Sequence, residues 1–293
     1  MDPRTRLSGI STGARSLPRL LGRTLMAAFD DGLFAVAKGA AYSSLLSLFP
    51  VLASVAAVLV QARAEYIERY VTRFLARVLP PGTEAVVLEQ FRAPGQRPTV
   101  LLITAFVLSV WAASSVVRSL VDGFNAAYRV PKNRSILSHT AVGILLVFLS
   151  VLPLLAASSL ILFGSAIERE VLRLMRVDPM LNPLAVYWQL LWQVVRYTVA
   201  FLTICSLTAI LYYFGPYRQQ RWSAVWPGAI LSTILWMLTT GAFGWWVRNV
   251  TNYNVLYGSV GTSMALLVWL YLLALLTLIG CEFNAELERT GAG

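Results

Sequence analysis

The stretch from Met264 to Cys281 carries no charged residue. At ~1.5 Å per helical residue, it crosses most of the ~30 Å hydrocarbon of a bilayer. In lipid every backbone polar group must be satisfied internally, so such a stretch is confined to a helix. A small, polar lead-in, Tyr257-Gly-Ser-Val-Gly-Thr-Ser263, enters it. Paired acids leave it, in Cys281-Glu-Phe-Asn-Ala-Glu286. One such helix marks a membrane protein, and the rest of the chain must suit the same solvent.

Composition agrees. Of 293 residues, 57% are hydrophobic and 13% charged, where a soluble domain carries about 25% charged residues. Hydropathy predicts six spans, at about 36–61, 99–121, 137–163, 187–214, 224–247 and 260–281. The expected fold is all-α: an integral membrane bundle of six transmembrane helices over residues 30–289, with amphipathic interfacial helices beside it. No separate soluble domain is evident.

Residues 1–29 form the other unit, a disordered start followed by an amphipathic helix over 14–29. Arg15, Arg19 and Arg23 recur every four residues, opposite Leu20, Leu21, Leu25 and Phe29. Such a helix lies in the headgroup plane of an anionic leaflet. No short apolar core with a small-residue cleavage site precedes the first span, so that span is expected to stay in the mature protein. The loop 62–98 reads as two amphipathic helices, about 64–93, broken at Pro80-Pro81-Gly82 and resting on the outer face.

Loop charges set the expected orientation. Arg4, Arg6, Arg15, Arg19 and Arg23 precede span one, Arg129, Lys132 and Arg134 follow span two, and Arg218 and Arg221 follow span four. The positive-inside rule then places both termini in the cytoplasm. The net charge of +10 reflects these helix-end arginines. No compact basic run with interleaved aromatics exists, so nucleic acid is not an expected partner. Membrane lipids are, and the sequence allows a homo-oligomer.

Catalytic and metal signatures are missing. His139 is the only histidine, Cys205 and Cys281 lie apart in apolar stretches, and there is no CxxC, Walker A loop or GxSxG. We expect no enzyme, no cofactor and no metal. His139 is expected to face the cytoplasmic headgroups.

Charges inside spans are functional candidates by default, weighed against snorkelling. Trp111, Ser115, Arg118, Asp122, Asn125 and Arg129 form a polar stripe on span two, where Arg118 and Asp122 at i,i+4 can pair. Lys38 lies at the mouth of span one, with Tyr42 one turn on. Glu282 and Glu286 share a face as span six ends. Lys38, Arg118, Asp122 and Glu282 are expected to gather near the cytoplasmic interface. There they either lock helix ends by pairing or form a site for an anionic headgroup or coupling ion. On span four, Gln189, Gln193, Arg196 and Thr203 line one face, and Arg196 either snorkels outward or serves a site. The segment Asn252–Ser263, with Asn254, Tyr257, Gly258 and Ser259, reads as a Gly-bearing hairpin at the outer end of span six, where Gly258 and Gly261 allow a tight turn or a broken helix start; the alternative is an ordinary helix entry. A helix N-terminus there would turn free N–H groups toward anions.

Gly39, Ser43, Ser47 and Ser54 mark a small-residue seam on span one that permits close helix approach. A short repeat joins spans one and three: Ser47-Leu-Phe-Pro50-Val-Leu-Ala and Ser150-Val-Leu-Pro153-Leu-Leu-Ala. Pro227 lies near the start of span five, so three helical hairpins, each opened by a Pro-bearing helix, fit the chain.

Three stretches together resemble the YihY/BrkB family of bacterial inner-membrane proteins. They are Lys38-Gly-Ala-Ala-Tyr-Ser-Ser through Pro50; Trp111-Ala-Ala-Ser through Phe124-Asn-Ala-Ala-Tyr-Arg129; and Trp226-Pro-Gly-Ala229 with Tyr257-Gly-Ser, Trp269-Leu-Tyr271 and Gly280-Cys-Glu-Phe-Asn-Ala-Glu286. The family's Gly-Ala-Glu is Gly280-Cys281-Glu282 here. The resemblance implies a six-helix inner-membrane protein with cytoplasmic termini. A ribonuclease label once given to some members finds no nuclease metal site in this chain. The functional expectation is a transporter or flippase of an anionic lipid or other amphiphile, using Lys38, Tyr42, Arg118, Asp122, Arg196 and Glu282. The alternative is a non-transporting scaffold that organises lipid.

Overall fold

A computed structural model describes residues 18–61, 99–131, 139–151, 153–155, 158–159, 184–249 and 253–291. The expected disordered start and the amphipathic helices expected at about 64–93 fall outside the described residues. Everything described is helix or short connection, with no strand among the described residues. Helix α1 covers residues 18–30. Five helices are long and apolar enough to cross a membrane: α2 (Leu33–Gln61), α3 (Thr99–Ala127), α5 (Leu184–Phe214), α6 (Trp226–Asn249) and α7 (Tyr253–Arg289). A shorter apolar helix, α4 (His139–Leu155), stands where the sequence predicts span three.

In lipid there is no hydrophobic gain between helices, so close packing and interhelical hydrogen bonds hold the bundle. The sequence supplies small residues for this. Ala37, Ala40 and Ala41 of α2 are buried. Gly123 of α3 lies so near Val36 and Leu278 that a Cβ there would stand 3.1 Å from Val36 Cγ1. The core, with Phe124, Val121, Tyr212, Leu275 and Leu278, joins α2, α3, α5 and α7. Between α2 and α3 the hydroxyls of Ser54 and Ser109 meet at 2.7 Å, and Ser109 lies 2.7 Å from the Pro50 carbonyl. Of the expected small-residue seam on α2, Ser54 makes a contact with α3, whereas Gly39 is exposed with nothing within 4 Å of where a Cβ would stand.

Two helix ends define the site below. At the α1–α2 junction, Gly32 has φ +71, a conformation open to glycine at little cost. It stops α1 and lets α2 restart toward the membrane. Helix α3 ends in a Schellman motif: Val130 N–H donates to Asn125 O at 2.8 Å and Arg129 N–H to Ala126 O at 2.9 Å. The left-handed position that glycine usually fills holds Arg129, at φ 54.

Candidate functional site

The starts of α2, α4 and α6 and the ends of α3, α5 and α7 come together at one end of the bundle. The last two turns of α7 organise it. Glu282 is fully buried and accepts a hydrogen bond from Arg289 at 2.9 Å. The same guanidinium donates to Glu286 at 2.6 Å and, from its other arm, to the Ala127 carbonyl at 2.6 Å. That carbonyl belongs to the last turn of α3, where the acceptors have no partner within the helix. Glu286 in turn stands 3.4 Å from Arg23 of α1. One face of α7 thus ties together α1, α3 and α7.

Asn284 does the same for α6. Its side-chain oxygen accepts from Gly228 N–H at 2.7 Å, a first-turn donor, and its amide donates to Val225 O at 3.0 Å. This is possible because Gly228 and Gly280 let α6 and α7 touch backbone to backbone. A Cβ on either would overlap the other's carbonyl oxygen. Tyr212 of α5 closes the seam, donating to Thr277 O at 2.6 Å beside Ser232 at 2.7 Å. Outside the spans, Arg218 bonds Glu288 and stacks 4.3 Å above the Tyr128 ring. Burial, with the nearby Cys281 and Glu288, pushes the Tyr128 phenol above its ordinary range.

The expected gathering of Lys38, Arg118, Asp122 and Glu282 divides. Glu282 belongs to the Arg289 cluster. Arg118 does not reach Asp122: it donates to Ser114 Oγ one turn back, at 3.1 Å, where α4 crosses so closely that a Cβ on Gly143 would stand 2.9 Å from Arg118 Cγ. Asp122 faces His139 at 3.9 Å. His139 packs edge-on against Tyr217 at 5.8 Å, rather than facing headgroups alone. Lys38 is exposed with no ion pair among the described residues, and Tyr42 is 60% exposed. Arg196 lies over the neighbouring Tyr197 ring at 5.4 Å.

Of the two readings of the segment before span six, the ordinary helix entry is the one that forms. Helix α7 begins at Tyr253, so Asn254 sits in its first turn and Tyr257, Gly258 and Ser259 continue the helix. A tight turn or broken start at those glycines does not form, because an unbroken helix satisfies each backbone group that a break would strand in lipid.

Deeper in the bundle lies a cavity of about 730 Å³, within the ~300–1,000 Å³ range of ligand pockets. Helices α2, α3 and α4 line most of it, with Leu207 and Leu211 of α5 and Leu270 of α7. Its serines mostly turn inward to backbone: Ser44 donates to Ala40 O and Ser47 to Ser44 O. The lining is consequently apolar. Ser150 Oγ alone among these serines is buried without a hydrogen-bond partner. The α2 positions Ser44, Ser47, Leu48 and Val51 match the α4 positions Val147, Ser150, Val151 and Leu154 at a constant offset, the one that aligns the Ser-x-x-Pro repeat. Corresponding faces of the two repeated helices bound one cavity.

Sequence reasoning missed Arg289, Asn284 and the Gly228–Gly280 crossing. A signal existed: Glu282, Glu286 and Arg289 follow i, i+4, i+7 on one helical face. Among the described residues, no group of three His, Cys, Asp or Glu is placed to hold a metal ion.

The family described as Virulence factor BrkB matches residues 25–293. A UPF0761 membrane protein of Tolumonas auensis is 27% identical over 260 residues, 88% of this chain and 82% of that one. The UPF0761 membrane protein Smlt0865 of Stenotrophomonas maltophilia is 26% identical over 302 residues, 98% of this chain and 66% of that one. YfkH of Bacillus subtilis, whose name likens it to ribonucleases, is 29% identical over 189 residues, 64% of this chain and 66% of that one. No solved structure matches. With the family match running over nearly the whole chain and the apolar helices it spans, this chain belongs to the BrkB family of membrane proteins.

Proposed function

We propose that the chain is a transporter or flippase for an amphiphile, with an anionic lipid as the leading substrate class and the basic end of the bundle in the cytoplasm of a bacterial inner membrane. The observation that carries the reading is the cavity of about 730 Å³ between corresponding faces of α2 and α4. Transporters commonly place their substrate site between internal repeats, near the middle of the bilayer. An apolar lining suits hydrocarbon chains and repels a free polar solute, whose buried groups would go unpaired. Arg118 lies nine residues before Ala127, the last residue of α3, about 14 Å along the helix. It is the cation best placed to meet a headgroup moving past α4. Arg196 would serve further along the path. No nucleotide-binding motif is present in the sequence, so active transport would draw on an ion gradient or a partner.

The test uses proteoliposomes holding fluorescent phosphatidylglycerol, with and without a proton gradient. Transport predicts scrambling faster than in protein-free vesicles, lost in Val147→Trp, which fills the cavity from α4. Scrambling at the protein-free rate under both conditions would overturn the reading for this lipid. A full rate in correctly folded Val147→Trp would remove the cavity from the path. The scaffold alternative gains from the Glu282–Arg289 and Asn284 contacts, which fix helix ends rigidly. It predicts no scrambling but a shift in lipid order around the protein.

A further inference from the structure

At the same end of the bundle a second cavity, of about 660 Å³, opens between α1 and the ends of α3 and α7. Arg19, Gly22, Arg23, Met26, Ala27 and Asp30 line it from one face of α1, opposite Arg129 and Glu286. We propose that this cleft binds the phosphodiester headgroup of a membrane phospholipid, with Arg19, Arg23 and Arg129 as its donors. The inference goes beyond transport, because it concerns binding alone.

The donors are largely unspent. Each guanidinium offers five N–H groups. Arg129 uses one, toward Asp31 at 3.3 Å. Arg23 meets Glu286 only as an ion pair at 3.4 Å, and the Glu286 oxygen facing it has no hydrogen bond. Arg19 has no partner among the described residues. Arginine forks match phosphate geometry, and their charge-assisted bonds are about twice as strong as neutral ones. Arg129 also keeps a left-handed backbone, φ 54, where glycine would be unstrained; its side chain gives that position a use. Glu286 cannot neutralise the cleft by itself, since its other oxygen is held by Arg289 at 2.6 Å.

The cleft's neighbours argue for a lipid over a free anion. Leu25, Met26 and Phe29 of α1 are 52%, 72% and 73% exposed, and Met26 lines the cleft itself. An interfacial helix with this pattern sets its apolar side among acyl chains and its arginines at phosphate level. Asp30, exposed at the rim, stands where a headgroup amine would reach.

The test titrates the purified full chain in detergent with fluorescent phosphatidylglycerol, and competes it with soluble glycerol phosphate. Arg19→Gln removes a donor from an exposed position. Gly22→Leu blocks the cleft: a Cβ on Gly22 meets nothing within 4 Å, so the new side chain enters open space and the fold stays intact. Each is expected to weaken lipid binding by about tenfold, the loss of one charge-assisted contact or more. Arg221→Gln, on an exposed arginine outside the cleft, is expected to bind as the parent does. Unchanged binding in Gly22→Leu overturns the proposal, as does an equal loss in Arg221→Gln, which would mean attraction to net charge alone. Glycerol phosphate competing as well as the lipid would overturn the lipid assignment in favour of a free-phosphate site. Lipid held in the cleft without scrambling would uphold this inference and overturn the transport reading for this lipid.

Discussion

Gly228→Ala tests the tightest contact in the bundle. A Cβ at Gly228 would overlap the Gly280 carbonyl oxygen and stand 2.6 Å from Asn284 Nδ2. Neither neighbour can step aside: one is helix backbone, and the other is fixed at both ends of its amide. Helices α6 and α7 must part. Overpacking of this kind costs about 1–3 kcal/mol. Parting also breaks the bonds from Gly228 N–H to Asn284 (2.7 Å) and from Asn284 to Val225 O (3.0 Å), at about 1 kcal/mol each. The expected loss is about 3–5 kcal/mol, a large share of the ~5–15 kcal/mol that holds a typical domain together.

The control lies on the same helix. A Cβ on Gly241 meets nothing within 4 Å, so Gly241→Ala gains helix propensity, about 1 kcal/mol at most, and clashes with nothing. Thermal unfolding in detergent, followed by tryptophan fluorescence, separates the two. Gly228→Ala should unfold at a clearly lower temperature than the parent, and Gly241→Ala at the same temperature or higher. If the two variants unfold together, the backbone-to-backbone crossing is wrong, and with it the account of how Asn284 reaches the first turn of α6.

Arg289→Ala strands Glu282, buried and left without its donor, and should destabilise by about 3–5 kcal/mol; Glu282→Met with Arg289→Met, which leaves only Glu286 and the Ala127 carbonyl without that donor, should lose clearly less by the same measurement. A neutral Arg289→Ala would mean that the pair does not hold α7 to α3. Arg129→Gly relieves the left-handed backbone at the end of α3 and should be about 1 kcal/mol more stable than Arg129→Ala. Both variants lose the Asp31 ion pair, so only the backbone term separates them, and equal unfolding midpoints would refute the strain.

Much of the fold was legible because a bilayer admits few solutions. The last helix follows from an uncharged run, and the observed α2, α3, α5 and α6 overlap the predicted spans closely. Where the structure extends them, as α3 runs on from 121 to Ala127 and α7 starts at Tyr253, the residues are polar but still helical. Hydropathy marks the hydrocarbon slab and is blind to helix that leaves it. At Gly258 the sequence left a broken start and an ordinary helix entry open, and the helix runs through. Glycine permits a break, but only an external partner for the freed backbone groups would favour one.

The site was legible in its residue types and not in its pairings. Glu282 stood out as an acid at the end of a span. Which cation met it depended on Arg289, two turns on and beyond the apolar run that drew attention to the helix. Lys38 and Arg118 looked equally apt in sequence, yet the first is exposed and the second turns one donor back to Ser114 on its own helix rather than toward Asp122. Side-chain reach along one helix is readable from spacing. Contacts between helices depend on rotation about their axes, and here small residues set that rotation. Gly123, Gly143, Gly228 and Gly280 each fix a crossing, and each crossing decides which polar face turns inward. The repeat gains its meaning from the same source. Ser-x-x-Pro in α2 and α4 said only that two helices were alike; their rotation turned matching faces to one cavity. A bundle locked at one end by Asn284 and Arg289, with an apolar cavity further in, divides its labour along the membrane normal.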